Sequence, residues 1–351
     1  MIRKNWLCLA LVPVCILGLA VVGCAKPTAP PAKVITLVHE SVYPATHRIS
    51  VQDRWWQEEV EKASNGRIKF EYHPGGEPVV KAEALRGLSK GTIDVLTSAS
   101  TYYSGDCAIA DFMLGPKNFK TYEDLFDLCY GEVGNIIDKV YQKKMNVKYL
   151  WMNPFAPENF QVGKKTKKIR HIEDFKGLKI RGAAGAADAT IKCLGGNPVA
   201  TIAGEYYTAM QQGVVDAGLM TSYSLETYKM WEVCDQVVDP PVFNNCAVVV
   251  WMNLDKWNTI PKDLQKILLD IPRSKEFQKR QMDFLKGDDE RIIKIAKEKG
   301  VEFYVLPPED QAKMWALVAP IWDWYVATNE KQGYGAESKK LREIIAKRFG
   351  E

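Results

Sequence analysis

The chain has 351 residues, of which 46% are hydrophobic and 26% are charged, and its 47 basic and 43 acidic residues leave a formal net charge of +4. A balance this close to neutral does not favour a nucleic-acid-binding protein, because such proteins normally carry a basic excess or a basic stripe. The length exceeds that of one ordinary domain, so we expect two lobes.

The N-terminal segment has the layout of a secretory signal peptide. Two cations precede an apolar run from Trp6 to Val22, and the sequence VVGC then ends at Cys24. This layout predicts export, and VVGC resembles a bacterial lipobox, in which the chain is cut before the cysteine and the thiol is lipidated. We therefore predict a signal peptide over residues 1–23 and a lipid anchor at Cys24. A plain membrane anchor is the alternative, although the run is close to the lower limit of about 17 residues for a span.

Residues 24–33 are rich in proline, which predicts an extended tether rather than folded structure. Beyond the tether, short apolar runs alternate with helical patterns, which is typical of α/β architecture. A long helix with one apolar side is predicted over 123–145. The strand patterns in this first part of the chain are 34–38, 68–72, 93–97 and 147–151.

The second part of the chain repeats this alternation. Its strand patterns are 160–163, 178–181, 198–200 and 214–220. Residues 247–251 are all apolar, which places them inside a sheet covered on both faces. A helical pattern over 274–299 is long enough to lie along two lobes, and a strand pattern follows at 301–306. We predict a first lobe built from 34–157 and 244–285, and a second lobe built from 158–243 and 286–351.

Three features test for enzymatic chemistry, and none supports it. Residues 87–91 spell G-x-S-x-G, but they lie where a helix ends and a strand begins, whereas the nucleophile elbow of hydrolases needs a strand that turns into a helix. No two histidines have the spacing of a metal site on one helix face, so we expect His39, His47, His73 and His171 at the surface or the hinge. Residues 182–185 lack the full dinucleotide motif, although backbone N–H groups at a helix N-terminus there favour a bound anion. We therefore predict no catalytic residue, no cofactor and no metal ion.

The cysteines that follow Cys24 do not define a disulfide framework. Their number is odd and their spacing matches no zinc pattern, so disulfides and free buried thiols both stay open outside the cytoplasm. These cysteines are Cys107, Cys129, Cys193, Cys234 and Cys246.

Several spaced motifs in register resemble one family of transport proteins. The strongest are DFKGLKIR at 174–181, LGGNPV at 194–199 and EYYTAMQQGVVD at 205–216, and further matches lie at 65–76 and 91–94. Their order and spacing are similar to those of the solute-binding proteins of TRAP (tripartite ATP-independent periplasmic) transporters, the DctP-like family. The resemblance implies a periplasmic-binding-protein type II fold, with a hinge and a cleft that shuts over a small organic acid. It also implies delivery of that acid to the small and large permease subunits in the membrane.

The resemblance places the family's carboxylate-binding arginine on Arg181. The local pattern supports this position, because Arg181 ends a predicted strand beside a helix N-terminus, at the edge of an open sheet where ligands sit. A guanidinium offers two parallel N–H bonds to a carboxylate, which the point charge of lysine cannot reproduce.

Other positions depart from the family pattern. Gln161 stands where well-studied members have a second arginine, and Met220 stands where they have an asparagine. With several aromatic residues near strand ends, these departures favour an apolar or aromatic monocarboxylate over a sugar acid or a dicarboxylate. We expect first-lobe groups near Glu40 and Tyr102 to complete the enclosure. The predicted ligand-binding residues are therefore Arg181, Gln161, Glu40, Tyr102, Met220, Tyr223 and Phe243.

Three alternatives remain at this stage. An ABC-type substrate-binding lipoprotein has a similar two-lobed body, and a neighbouring ATPase gene would favour it. A ligand-sensing or adhesive surface lipoprotein would bind another protein instead of a small molecule. A secreted lipoprotein enzyme would need a nucleophile with its base, or a metal site.

Overall fold

The computed structural model describes residues 34–76, 83–116, 121–182, 185–201, 203–243 and 248–349. The predicted signal peptide, the tether, Cys24 and Cys246 lie outside these residues. The strands are β1 (Ile35–Ser41), β2 (Ile68–Pro74), β3 (Val95–Ala99), β4 (Val147–Met152), β5 (Glu158–Gly163), β6 (Lys179–Gly182), β7 (Asn197–Ala200), β8 (Ala217–Thr221), β9 (Cys234–Phe243), β10 (Val248–Asn253) and β11 (Glu302–Val305).

Helices cover both sheets that these strands form. The helices are α1 (Arg48–Ala63), α2 (Ala84–Ser89), α3 (Tyr122–Tyr130), α4 (Glu132–Met145), α5 (Gly185–Cys193), α6 (Tyr206–Gln211), α7 (Tyr223–Thr227), α8 (Leu254–Thr259), α9 (Lys262–Arg273), α10 (Lys275–Glu298), α11 (Pro308–Val318), α12 (Ile321–Lys331) and α13 (Gly335–Phe349). Short 3-10 turns lie at Ser100–Tyr103, Ile109–Leu114, Ile172–Phe175, Ala203–Glu205 and Met230–Glu232.

Two separate sheets confirm the predicted two-lobed α/β fold. The first has the strand order β2-β1-β3-β10-β4, and the second has the order β11-β9-β5-β8-β6-β7. In the first sheet, β1 runs parallel to β2 and β3, whereas β10 runs antiparallel to β3 and β4. Every residue of β10 is buried, as its unbroken apolar sequence predicts for an inner strand.

The pairings of the second sheet bring the ends of three strands to one edge. Strand β8 pairs parallel to β6 and antiparallel to β5, and β6 also pairs parallel to β7. The carboxyl ends of β6 and β8 therefore lie at the same edge as the amino end of β5. Ligands of open α/β sheets bind at such an edge.

Helix α10 links the two lobes. Its first turn is capped by Ser274, whose Oγ accepts a hydrogen bond from the Phe277 backbone N–H at 3.2 Å. Phe277 packs with Trp151 in a core of the first sheet, whereas Ile292 packs with Val237 in a core of the second. A helix of 24 residues is about 36 Å long. The predicted long helix along both lobes is thus confirmed.

The predicted single helix over 123–145 is two helices that meet at Gly131. Gly131 has an extended backbone, with φ −97° and ψ −144°, which interrupts the helical ladder. Nearby, an added Cβ on Gly134 would lie 1.8 Å from the carbonyl oxygen of Cys129. The apolar periodicity crosses this break, so the sequence pattern alone favoured one continuous helix.

The last two helices pack differently from the predicted lobe boundaries, which assigned all of residues 286–351 to the second lobe. Tyr325 of α12 and Leu341 of α13 belong to the same buried cluster as Phe112 and Ile137. That cluster lies against the first sheet. The apolar faces of these helices are visible in the sequence, but the core that receives them is not.

The described residues can be compared with the sequence interpretation of residues 87–91, of the cysteines, of metal sites and of membrane spans. The sequence at 87–91 spans the end of α2 and the approach to β3, which agrees with the rejection of a nucleophile elbow. In the described part of the chain, Cys107, Cys129, Cys193 and Cys234 are free thiols. Within the same residues, no cluster suits a metal ion, and no helix combines the length and apolarity that crossing a bilayer requires.

Candidate functional site

A crevice of about 110 Å³ lies between the ends of the two sheets. Residues after β1 and β3 line it from the first lobe, and the ends of β6 and β8 with the start of β5 line it from the second. A space of this size holds several water molecules or one small solute. It is the place where the strand topology predicts a ligand.

Arg181 lies in this crevice and is oriented by hydrogen bonds to neutral groups. Its Nε donates to the Thr201 carbonyl at 3.1 Å, and one terminal nitrogen donates to the Leu219 carbonyl at 3.0 Å and to the Met220 sulfur at 2.9 Å. The residue is only 4% exposed. Among the described residues, no ion pair includes Arg181, and its second terminal nitrogen donates to none of them.

This arrangement favours an anion in the crevice. A buried cation is costly where, as among the described residues here, no acidic side chain pairs with it, because carbonyl dipoles replace only part of the hydration that burial removes. A carboxylate that accepts two N–H bonds from the remaining donors would supply the missing charge in a fixed orientation. The position of Arg181 in the crevice is thus compatible with the predicted role of this residue.

A close packing contact supports the strand that faces Arg181. Gly218 of β8 lies opposite Arg181 in the parallel ladder, and an added Cβ on Gly218 would lie 2.3 Å from the ring of Tyr206. Tyr206 is fully buried. The absent side chain of Gly218 makes room for the tyrosine.

Four of the predicted ligand-binding residues line the crevice, and three do not. Arg181, Tyr102, Met220 and Tyr223 belong to the lining. Gln161 is fully buried, and its amide nitrogen donates to the Thr221 carbonyl at 3.0 Å and to the Ser224 hydroxyl at 2.8 Å. Gln161 therefore supports two lining residues instead of joining them.

Glu40 and Phe243 are also buried, and neither belongs to the described lining of the crevice. Glu40 lies within β1 between two paired strands, and Phe243 packs in the apolar cluster of the second sheet. The expectation that they contact the ligand does not fit these positions. Nearness to a strand end indicates the correct edge of a sheet, but it does not indicate which face a side chain occupies.

The aromatic wall (Tyr43, His47, Phe155 and Tyr223) is a feature of the lining that the sequence analysis largely missed. His47 stacks on Tyr43 at 4.6 Å between ring centroids and meets Tyr223 edge-on at 4.9 Å, and Phe155 lies 5.3 Å from His47. His47 is also the N-cap of α1, because its Nδ1 accepts a hydrogen bond from the Ile49 backbone N–H. The position of His47 just before a helical pattern is the sequence signal that could have identified this residue.

The histidines were expected at the surface or the hinge, and His39 lies at neither place. His39 is fully buried, and burial lowers its pKa to about 3. His47 is 5% exposed and lies at the crevice between the lobes. His73 and His171 have the larger exposed fractions, 33% and 64% of their side chains.

Behind the aromatic wall, a charged network joins three helices. The guanidinium of Arg48 lies 4.3 Å from the Tyr223 ring centroid and forms ion pairs with Asp288 at 2.5 Å and Asp289 at 2.8 Å. Burial raises the pKa of Asp289, while Arg48 opposes that shift. Asp288 also pairs with Arg291 at 2.7 Å. The network therefore fixes the ring of a lining residue to α10.

The start of α5, at Gly185, lies close to two polar residues of the first lobe. An added Cβ on Gly185 would lie 3.6 Å from Asp111 Oδ2 and 3.2 Å from Ser104 Oγ. The Ser104 hydroxyl donates to Asp111 at 2.6 Å, and burial raises the pKa of Asp111 to about 7. A carboxyl group of the protein thus lies near Gly185, within the segment where the sequence predicted a bound anion.

Two α/β lobes, a linking helix and a crevice lined by the Arg181 guanidinium define the class of two-lobed solute-binding proteins. The chain belongs to the DctP family, the bacterial extracellular solute-binding proteins of family 7, whose model matches residues 41–329. This is the TRAP family that the motifs resemble, so the prediction from the sequence is confirmed.

Relatives and solved structures agree with this assignment. The chain is 26% identical to a solute-binding protein of Albidiferax ferrireducens over 290 residues, which is 82% of each chain. It is also 26% identical to the C4-dicarboxylate-binding periplasmic protein DctP of Rhodobacter capsulatus, over 76% of this chain and 79% of the relative. A Desulfovibrio salexigens TRAP binding protein with orotic acid matches with TM-score 0.80 and 21% identity, over 90% of this chain and 98% of that one. A Rhodoferax ferrireducens TRAP binding protein with malonate matches with TM-score 0.76 and 23% identity, over 90% and 100%.

Proposed function

We propose that the protein captures a small organic acid in the crevice, with Arg181 binding the ligand carboxylate, and delivers it to the small and large membrane subunits of a TRAP permease. The buried guanidinium without an acidic partner in the described chain carries this proposal. The orotic acid and malonate bound by related folds are also carboxylic acids. Binding and release involve no covalent step, so the protein is not an enzyme.

Closure of the lobes supplies the affinity in this proposal. Exclusion of water lowers the local dielectric constant and strengthens the pairing of guanidinium and carboxylate. The three hydrogen bonds to Thr201, Leu219 and Met220 hold the guanidinium in place before the ligand arrives. Less ordering is then needed on binding, which preserves more of the interaction free energy as affinity.

Replacement of Arg181 tests the proposal. Truncation of one side of a buried charged pair costs about 2 to 5 kcal/mol, which is roughly 30-fold to several thousand-fold in affinity. Arg181→Ala should therefore abolish the thermal stabilisation by acids that stabilise the wild type, and Arg181→Lys should abolish most of it. Calorimetric titration with the strongest acid from a thermal-shift screen of organic, aromatic and 2-oxo acids measures the loss.

A variant on the same strand provides the control. Lys179→Ala removes a cation two residues from Arg181, but the Lys179 side chain is 48% exposed and donates to the Gly213 carbonyl outside the crevice. This variant should retain wild-type affinity. An Arg181→Ala protein that folds normally and binds within about threefold of the wild type would contradict the anchoring role.

We also propose that the chain is exported and held at the membrane by a lipid on Cys24. The cationic start, the apolar run and the VVGC sequence support this, and the family as a whole is extracytoplasmic. The mass of the processed N-terminus measures both cleavage before Cys24 and acylation of its thiol.

A further inference from the structure

Within the described part of the chain, the hydrogen bonds of Arg181 leave one terminal nitrogen for a ligand. The Nε donates to Thr201, and the first terminal nitrogen donates to both Leu219 and Met220. The second terminal nitrogen has no acceptor among the described residues. A parallel fork to a carboxylate needs free N–H groups on two nitrogens. One oxygen of a bound carboxylate can therefore accept from Arg181, and the other oxygen needs a donor from elsewhere.

The face of the second sheet that carries Arg181 also carries the ring of Tyr228. Arg181 lies opposite Gly218 in the ladder, and Met220 follows two residues later on β8, so the side chains of Arg181 and Met220 lie on one face. Helix α7 follows β8, and Tyr228 packs against the apolar cluster that contains Met220. Tyr228 and Arg181 also line the same crevice. The ring of Tyr228 therefore borders the crevice on the side where the guanidinium lies.

The Tyr228 hydroxyl is a neutral donor near this guanidinium. Burial raises the pKa of Tyr228, as does Tyr102, whereas the positive charge of Arg181 opposes the shift. A free tyrosine already has a pKa of about 10, so the Tyr228 phenol keeps its proton at neutral pH. In the described part of the chain, this hydroxyl has no hydrogen-bond partner. It is therefore available to donate to an oxygen in the crevice.

Contacts outside the crevice hold Tyr228 in place. The Tyr228 backbone N–H caps α7 by donating to the Ser224 carbonyl at 3.0 Å. On the same helix, Glu226 accepts two hydrogen bonds from Arg291 of α10, at 2.7 and 2.5 Å. Because these contacts fix α7 to the long helix, little further ordering of Tyr228 is needed when a ligand binds.

We propose, on the basis of the function proposed above, that the Tyr228 hydroxyl is a second carboxylate-binding group. The free terminal nitrogen of Arg181 donates to one oxygen of the ligand carboxylate, and the Tyr228 hydroxyl donates to the other. Both donors belong to the second lobe, so they bind the carboxylate before the first lobe closes over it. The pair also selects carboxylates over carboxamides, because an amide would present an N–H group to one of the two donors.

The variant Tyr228→Phe tests this proposal, because it removes the hydroxyl group and keeps the ring. Pyruvate, benzoate, succinate and D-glucuronate serve as the 2-oxo, aromatic, dicarboxylic and sugar acids, and calorimetry measures their affinity. Each acid that binds the wild type should bind the variant about 10- to 100-fold more weakly, since the lost hydrogen bond has a charged acceptor. An affinity within about threefold of the wild type would overturn the proposal.

The melting temperature of the ligand-free variant separates a binding role from a structural one. It should stay within about 1 °C of the wild type, because no described residue loses a partner. A fall of more than about 4 °C would show that the hydroxyl stabilises the folded protein itself, and it would also overturn the proposal.

The variant Tyr207→Phe is the matched control. It removes a hydroxyl group from the same lobe, but the Tyr207 hydroxyl donates to Glu232 at 2.9 Å, and Tyr207 does not belong to the described lining of the crevice. This variant should bind the same acids as the wild type does. An equal loss of affinity in the two phenylalanine variants would contradict a specific role for Tyr228.

The same titrations distinguish this inference from the proposed function. If Arg181→Ala loses binding and Tyr228→Phe does not, the second donor is wrong and the organic-acid function stands. If no carboxylic acid of the wider thermal-shift screen binds, or if Arg181→Ala binds as tightly as the wild type, both fall together.

Discussion

Replacement of Arg48 by methionine should destabilise the folded protein by about 3 kcal/mol, because it breaks the charged network between α1 and α10. The Arg48 side chain is 1% exposed, and its guanidinium has two aspartate partners and an aromatic face as neighbours. Methionine keeps most of the unbranched stem, so the change isolates the charge and its contacts.

The size of this loss in stability depends on which ion pairs the two aspartates keep when Arg48 is replaced. Removal of one side of a buried ion pair costs about 3 to 5 kcal/mol when the other charge stays buried and unpaired. Asp288 keeps Arg291 at 2.7 Å, so Asp289 is the partner that loses its cation. Its side chain is 18% exposed, and partial hydration lowers the cost to about 2 kcal/mol. The contact of Arg48 with the Tyr223 ring adds about 1 kcal/mol.

Urea denaturation and calorimetry measure this effect. A loss of about 3 kcal/mol should lower the melting temperature by about 4 °C in a chain of this size. The second change Asp289→Asn, made in the Arg48→Met background, should recover part of the loss, because it removes the stranded charge. Arg280→Met is the control, since that guanidinium stacks on Trp55 at 4.0 Å from an exposed position and should cost less than about 1 kcal/mol. A loss below about 1 kcal/mol in Arg48→Met would refute the reasoning.

Two further predictions concern a buried acid and a close packing contact. Burial raises the pKa of Asp53 from 3.8 to about 7, so its contribution to stability is full below pH 3.8 and is lost as the pH rises through 7. Asp53→Asn should therefore gain stability relative to the wild type between pH 4 and pH 7, whereas parallel urea-unfolding profiles would contradict the shift. Gly218→Ala should cost about 1 to 3 kcal/mol and weaken acid binding, because its Cβ meets the Tyr206 ring. Gly287→Ala has open space around it in α10 and should be neutral or stabilising, so equal losses in the two alanine variants would contradict the packing argument.

The sequence predicts those parts of the fold whose signal is local. The unbroken apolar run at 247–251 predicts an inner strand, and the pattern at 274–299 predicts a helix long enough to reach both lobes; both predictions are confirmed. The break at Gly131 and the docking of α13 on the first lobe were not predicted. Each depends on which distant surface receives an apolar face, and periodicity carries no such information.

The residues of the candidate site likewise include some that the sequence identifies and some that it does not. Arg181 is predictable because its motif and its place at a strand end agree. Gln161, Glu40 and Phe243 lie at the correct edge of their sheets, but none of them lines the crevice: the Gln161 amide donates to Thr221, and Glu40 and Phe243 are buried in the interior. Glu158 follows the connection between the two sheets, and its place in the lining depends on the register of β5 against β8. No local pattern encodes that register.

The interlaced order of the strands has a practical consequence for dissecting the protein. A fragment that ends at residue 157 would lack β10, which lies between β3 and β4, and its first sheet would be split into two pieces. It would also lack Phe277, which packs on Trp151. Isolated lobes for spectroscopy must therefore be assembled from non-contiguous segments, or by rejoining the chain in a permuted order that brings β10 next to its neighbours.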